Sequence, residues 1–169
     1  MEALKQHLSY GCQQITAVLI TEIREMDNAD RAASCFKEGF NCAQAVLSAY
    51  GPNFGLDREL ALKVAAAFGG GMGRLGGTCG AVTGALMAIG LRCGTVKVDE
   101  QAKEKTYRLV REFTEAFRSR NGSIVCRELL GLDISTPEGR KQATEKKLFT
   151  TLCPKLVRDA AEIIGKMEE

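Results

Sequence analysis

The chain has 169 residues, 45% hydrophobic and only 6% aromatic, with 23 basic against 21 acidic side chains and a formal charge of +2. That length suits one domain, residues 1–169, able to bury a core without disulfides or metal. So even a charge balance, with no basic tract, argues against nucleic acid as a partner.

Leu4, Leu8, Cys12, Ile15, Leu19, Ile23 and Met26 recur at spacings of three and four, so residues 2–26 are expected to form one amphipathic helix, its stripe serving either the core or a homodimer seam. Helices follow over Asn28 to Lys37, over Cys42 to Ala49 up to the Gly51-Pro52 stop, and over Leu56 to Ala67, with Asp57 placed to cap. The glycine-rich loop FGGGMGRLGGT then leads into the apolar segment Cys79 to Leu91. Gly80, Gly84 and Ala88 fall four apart there, a shallow face that a neighbouring helix can approach closely. Leu75 to Leu91 is uncharged, yet it is only about 17 residues long and begins with helix breakers, so a buried core helix is expected and no membrane span. Asp99 opens a charged helix running to about Arg120. Ser123 is placed to cap a short helix through Leu130, Thr136-Pro137 to start another, and Pro154 to be the first residue of the last, ending near Met167. Only Thr95 to Val98 has strand character. The expected fold is all-α: one compact multi-helix domain around a buried helix entered from the glycine-rich loop, with no internal repeat or linker.

Seven cysteines beside a single histidine, His7, are an excess that composition does not explain. The first residues, MEALKQHLSYGCQQ, lack the features of a secretory signal, which favours the cytoplasm. In that reducing compartment an odd number of cysteines argues for chemistry or metal binding rather than a static disulfide framework. No C-x-x-C occurs. Four cysteines stand at expected helix starts: Cys42 after Asn41, Cys79 after Thr78, Cys126 three residues after Ser123, and Cys153 before Pro154. A helix N-terminus favours a thiolate over a thiol, making it a better nucleophile and metal ligand. Cys79 is expected to be the most acidic thiol, with the N–H groups of Gly76 and Gly77 facing its sulfur and Gly80 leaving an approach open. Cys12, Cys35 and Cys93 lack this setting and are read as packing residues.

The stretch CGAVTG, Cys79 to Gly84, together with GFNCAQAVL around Cys42, resembles the C_GCAxxG_C_C family of redox proteins, with Cys126 and Cys153 in the places of its two downstream cysteines. The resemblance covers roughly residue 31 to the C-terminus. It implies a small helical protein in which Cys42, Cys79, Cys126 and Cys153 are redox-active.

Two readings follow. In the first, the four cysteines converge and cycle between thiolate and disulfide with an unidentified redox partner; four cysteines allow three pairings. In the second, they ligate zinc or an iron–sulfur cluster, with Gly76, Gly77 and Gly80 bringing backbone close to the bound group or forming an anion-holding nest, and with Arg74 either helping to hold the anion or simply solvated. GMGRLG fits the dinucleotide pattern but follows a helix rather than a strand, so it is not read as a nucleotide site. Thr106 to Arg120 reads as a solvated face, and His7 as a surface residue.

Overall fold

In the computed structural model, residues 26–167 are described. The expected helix over 2–26, with Cys12, His7 and the dimer seam, lies outside them except for Met26, which is in a bend.

Side-chain caps start most of the helices. The Asp27 carboxylate accepts from the Asp30 N–H ahead of α1, Asn28–Lys37. Asn41 and Gln44 form a reciprocal capping box at α2, Cys42–Tyr50. Asp57 caps α3, Arg58–Ala65. Helix α4 spans Gly80–Cys93, and α5, Glu100–Asn121, is capped by Asp99 and closed by Gly122 in the left-handed conformation. Then come α6, Cys126–Leu130, α7, Pro137–Glu145, with Thr136 as cap and Pro137 in its first turn, and α8, Leu148–Lys166. The described residues hold no strand beyond an isolated antiparallel bridge between Thr78 and Val125. Thr95 to Val98 is a loop, with Val96 and Val98 exposed. The fold is all-α, as expected.

Two boundaries differ from expectation. Helix α4 begins one residue later than read, with Cys79 as its N-cap while Thr78 pairs with Val125. Helix α8 begins at Leu148, so Pro154 lies inside it rather than at its start. Without an N–H, Pro154 leaves the Thr150 carbonyl without its helical donor. The turn persists because Leu148, Phe149 and Leu152 pack against the core and hold the preceding segment helical.

Helix α2 is the hub. It packs against α1, α3, α4 and α8, and every residue after its Asn41 cap except Gln44 is buried. It is the more completely enclosed of the two apolar helices, for α4 buries one face and leaves Leu91 exposed. The Tyr50 hydroxyl donates to the Ala161 carbonyl of α8 at 2.6 Å, fixing the far end of the hub. The near end is fixed by sterics. A Cβ on Gly84 would lie 2.7 Å from the Ala43 carbonyl oxygen, and one on Gly80 3.0 Å from the Ala43 nitrogen. The two backbones touch only because both positions lack a side chain.

This contact gives a paired expectation. Gly84→Ala should destabilise the protein by about 1–3 kcal/mol through overpacking. Gly90→Ala, in the same helix with nothing within 4 Å of the added Cβ, should stabilise it by roughly 0.5–1 kcal/mol through helix propensity. Urea denaturation of the two variants beside the wild type reads both signs.

Candidate functional site

Cys42 is the first helical residue of α2, and the cap that orients it is itself anchored: the Asn41 side-chain amide donates to the Ala66 carbonyl at 3.0 Å. After Phe68 the chain turns back through a left-handed run, with φ of 63° at Gly70, 70° at Gly71, 67° at Met72, 65° at Gly73 and 69° at Arg74. Gly71 is required twice over. Besides its positive φ, a Cβ there would meet the Gly77 nitrogen at 2.7 Å and the Cys126 Cβ at 2.8 Å.

Backbone pairing then sets Cys79 beside Cys126. The Cys79 N–H donates to the Ile124 carbonyl at 2.8 Å, and the Cys126 N–H to the Gly77 carbonyl at 2.7 Å. The Arg127 guanidinium straps the loop by donating to the carbonyls of Leu75, at 2.7 Å, and Gly76, at 3.2 Å. Gly76 and Gly77 donate their N–H groups to Gly70 and Gly71, so they do not face the Cys79 sulfur, and the expected backbone nest is not formed by them. Gly80 does line the site, and its bare Cα is what lets Cys42 and Cys79 approach.

Cys153, on α8, completes the group. The four thiols line a single cavity of about 820 Å³, walled by Phe36, Phe40 and Phe149, with Arg74 and Arg140 as its charged residues. Every pairing among the four thiols affects the ionisation of at least one member, and the strongest mutual effect is between Cys42 and Cys153. All six described cysteines are free thiols.

Burial decides the protonation of most of the group. It pushes Cys126 up to about 12, with the neighbouring Cys79 and Cys153 adding to the effect. It pushes Cys79 up to about 11 against the N–H groups of Ala81 and Val82, which pull the other way. The expectation that Cys79 is the most acidic thiol is therefore overturned: desolvation exceeds the helix-terminus effect. Cys42 is raised first by its interaction with Cys153 and then by burial, while Cys153 is lowered by that same interaction against its own burial. Cys153 gains its acidity without the expected helix start, since it is the sixth residue of α8.

Among the described residues, no group of three or more His, Cys, Asp or Glu side chains is arranged to hold a metal ion. The thiols share a chamber without being arranged as a ligand set. Cys35 and Cys93 stand apart from the cavity. Cys35 is buried against the Ser48 hydroxyl at 3.3 Å and raised by burial, as a packing thiol should be.

The family model described as "Putative redox-active protein (C_GCAxxG_C_C)" matches residues 40–167, well over half of the chain and all four cavity cysteines. The chain belongs to the C_GCAxxG_C_C family. No curated protein and no solved structure matches it. The family match begins at Phe40, two residues before Cys42, so α1 precedes it, and the cavity wall contributed by Phe36 lies outside the matched region. Among the described residues no helix is long and apolar enough to cross a membrane.

Sequence reasoning missed Arg140, Asn41's anchoring role and the phenylalanine walls. Phe40 had a signal, standing just before an Asn cap where a staple residue packs. Arg140 had none: it reaches the chamber only because α7 folds back beside α8.

The raised thiols have a stability consequence. A folded-state pKa above the unfolded one means that the native state keeps protons the unfolded state has released, so stability is full below about pH 8.5 and falls as pH rises toward the folded values. The unfolding free energy should therefore decline between about pH 9 and 11. Cys79→Ser, which removes one such group, should flatten that decline in denaturant titrations across the pH series.

Proposed function

We propose that the protein is a cytoplasmic thiol/disulfide oxidoreductase in which Cys153 is the attacking thiolate and Cys42 the resolving thiol. The observation that carries this reading is the convergence of the four free thiols on one cavity, where Cys42 and Cys153 shift each other in opposite directions, Cys42 up and Cys153 down. A neighbouring thiol that keeps the proton favours the other sulfur's thiolate, and its own sulfur is then available for the second step.

In the reaction, the Cys153 thiolate attacks one sulfur of a substrate disulfide, forming a mixed disulfide and releasing the other half as a thiolate, which takes the Cys42 proton. The Cys42 thiolate then attacks Cys153, forming the Cys42–Cys153 disulfide and releasing the second half, which is protonated from solvent. Two electrons pass from the protein dithiol to the substrate. Cys79 and Cys126, set side by side by backbone, serve as a second dithiol able to take over the disulfide by intramolecular exchange. The alternative, ligation of zinc or an iron–sulfur cluster, is less well supported because the sulfurs do not form a ligand set.

The test is disulfide mapping after limited oxidation of anaerobically purified protein, with metal and sulfide analysis of the same sample. A metal-free protein whose first disulfide joins Cys42 to Cys153 is the expected result. Stoichiometric iron with sulfide, or a first disulfide that omits both residues, overturns it.

The mutual effect of Cys42 and Cys153 makes a sharper expectation. Cys42→Ala should raise the pH midpoint of Cys153 alkylation by about one unit, while Cys42→Ser, which keeps a donor, should leave it within about half a unit. Cys153 should label ahead of Cys79 and Cys126 throughout.

A further inference from the structure

The cavity has a charge pattern that disulfide exchange alone does not require. Arg74 and Arg140 line it and no Asp or Glu does. Several other arginines meet carboxylates, as Arg58 does Glu38, Arg120 does Asp159 and Arg158 does Asp30, while Arg92 and Arg127 donate to backbone carbonyls. Neither cavity arginine pairs with a carboxylate among the described residues. Arg140 donates from one guanidinium nitrogen to the carbonyls of Ile134, at 3.3 Å, and Ser135, at 3.1 Å. That holds the side chain in place and leaves other N–H groups for a ligand. Arg74 stands exposed in the left-handed run, a conformation unfavourable to any side chain.

The two cations are placed for a ligand rather than for the thiols. The raised thiols are set by burial and by one another, and neither guanidinium contributes to them. The thiols are also deeply recessed, with Cys42 8% exposed, Cys79 3%, Cys126 6% and Cys153 7%. A disulfide on the surface of a folded partner reaches such sulfurs poorly. A small molecule fits a chamber of about 820 Å³, within the usual range for organic ligands.

Resting on the redox reading above, we infer that the substrate is a small organic disulfide carrying carboxylates on an apolar body. The guanidiniums grip its carboxylates, the phenylalanine walls take its carbon skeleton, and its S–S bond lies against Cys153. The chemistry is the two-step exchange already given, with one substrate disulfide reduced to two acidic thiols and the Cys42/Cys153 dithiol oxidised.

The test compares three alkyl disulfides of similar size on the reduced full chain: dithiodipropionate with two carboxylates, hydroxyethyl disulfide with none, and cystamine with two ammonium groups. Each rate is divided by that of a small neutral thiol with the same reagent. After this correction dithiodipropionate should outpace cystamine by about 10-fold or more at low salt, and the preference should shrink as ionic strength rises. R74Q and R140K should each reduce that ratio; the exposure of Arg74 makes R74Q the variant least able to disturb the fold. If the corrected rates agree within about twofold, or the ratio survives both substitutions, the substrate class is wrong, and the redox reading stands provided that the Cys42–Cys153 disulfide still forms. If it forms only with protein disulfides, the small-molecule inference falls. If no oxidant produces it, the redox reading itself falls.

Discussion

Gly80 and Gly84 let the first turns of α4 lie directly against the backbone of α2, and the rest of the chamber is built around that contact. It brings the N-cap cysteine of one helix to the first-turn cysteine of another, so Cys42 and Cys79 meet through main-chain geometry rather than flexible side-chain reach. The remaining thiols are added by separate devices. Cys126 comes through the short antiparallel pairing of residues 76–79 with 124–127, and Cys153 through α8, which packs on α1, α2, α4 and α5.

Bringing four thiols into one apolar space sets two electrostatic effects against each other. A helix terminus contributes typically 0.3–1 kcal/mol to a nearby charge, less than the roughly 1.4 kcal/mol that corresponds to one pKa unit. Burial moves Cys79 from 9.0 to about 11 even with the Ala81 and Val82 N–H groups working against it. Helix starts therefore cannot by themselves make thiolates at this depth. A neighbouring thiol can, because one proton stays in the pair while the other sulfur carries the charge. Cys42 and Cys153, which shift each other in opposite directions, are therefore the pair to which the proposed chemistry is assigned.

The helix starts were legible in sequence where a cap supplied a local signal: Asp27, Asn41, Asp57, Asp99 and Thr136 cap as their residue types suggest. The start of α8 was not, because Pro154 is a strong local signal for a first turn and the apolar contacts of Leu148, Phe149 and Leu152 that extend the helix backward are tertiary. Ser123 misled in a milder way: its hydroxyl accepts from the N–H of Val125, the residue before Cys126, rather than from an N–H within the helix. The four cysteines could be chosen from sequence, but their relative acidity could not. That ranking depends on how much water each sulfur loses, a property of residues as distant in the chain as Phe36 and Leu156.

The left-handed run shows where local and global demands part. Glycine adopts that conformation freely, and Gly70, Gly71 and Gly73 supply it. Met72 and Arg74 do not, and a left-handed residue bearing a Cβ costs roughly 1–2 kcal/mol. Glycine at either place would relieve that strain at once. Met72 is exposed and contributes little to the core, whereas Arg74 is one of only two charged residues facing the thiols' cavity. A strained residue whose charged side chain lines the chamber agrees with the binding role proposed for Arg74. The same loop is bound down by the Arg127 guanidinium at Leu75 and Gly76 and by the Cys126 N–H at Gly77. The strap that stabilises the strained run therefore also sets Cys126 against Cys79, so the placement of the cation and the assembly of the thiols are mechanically one structure.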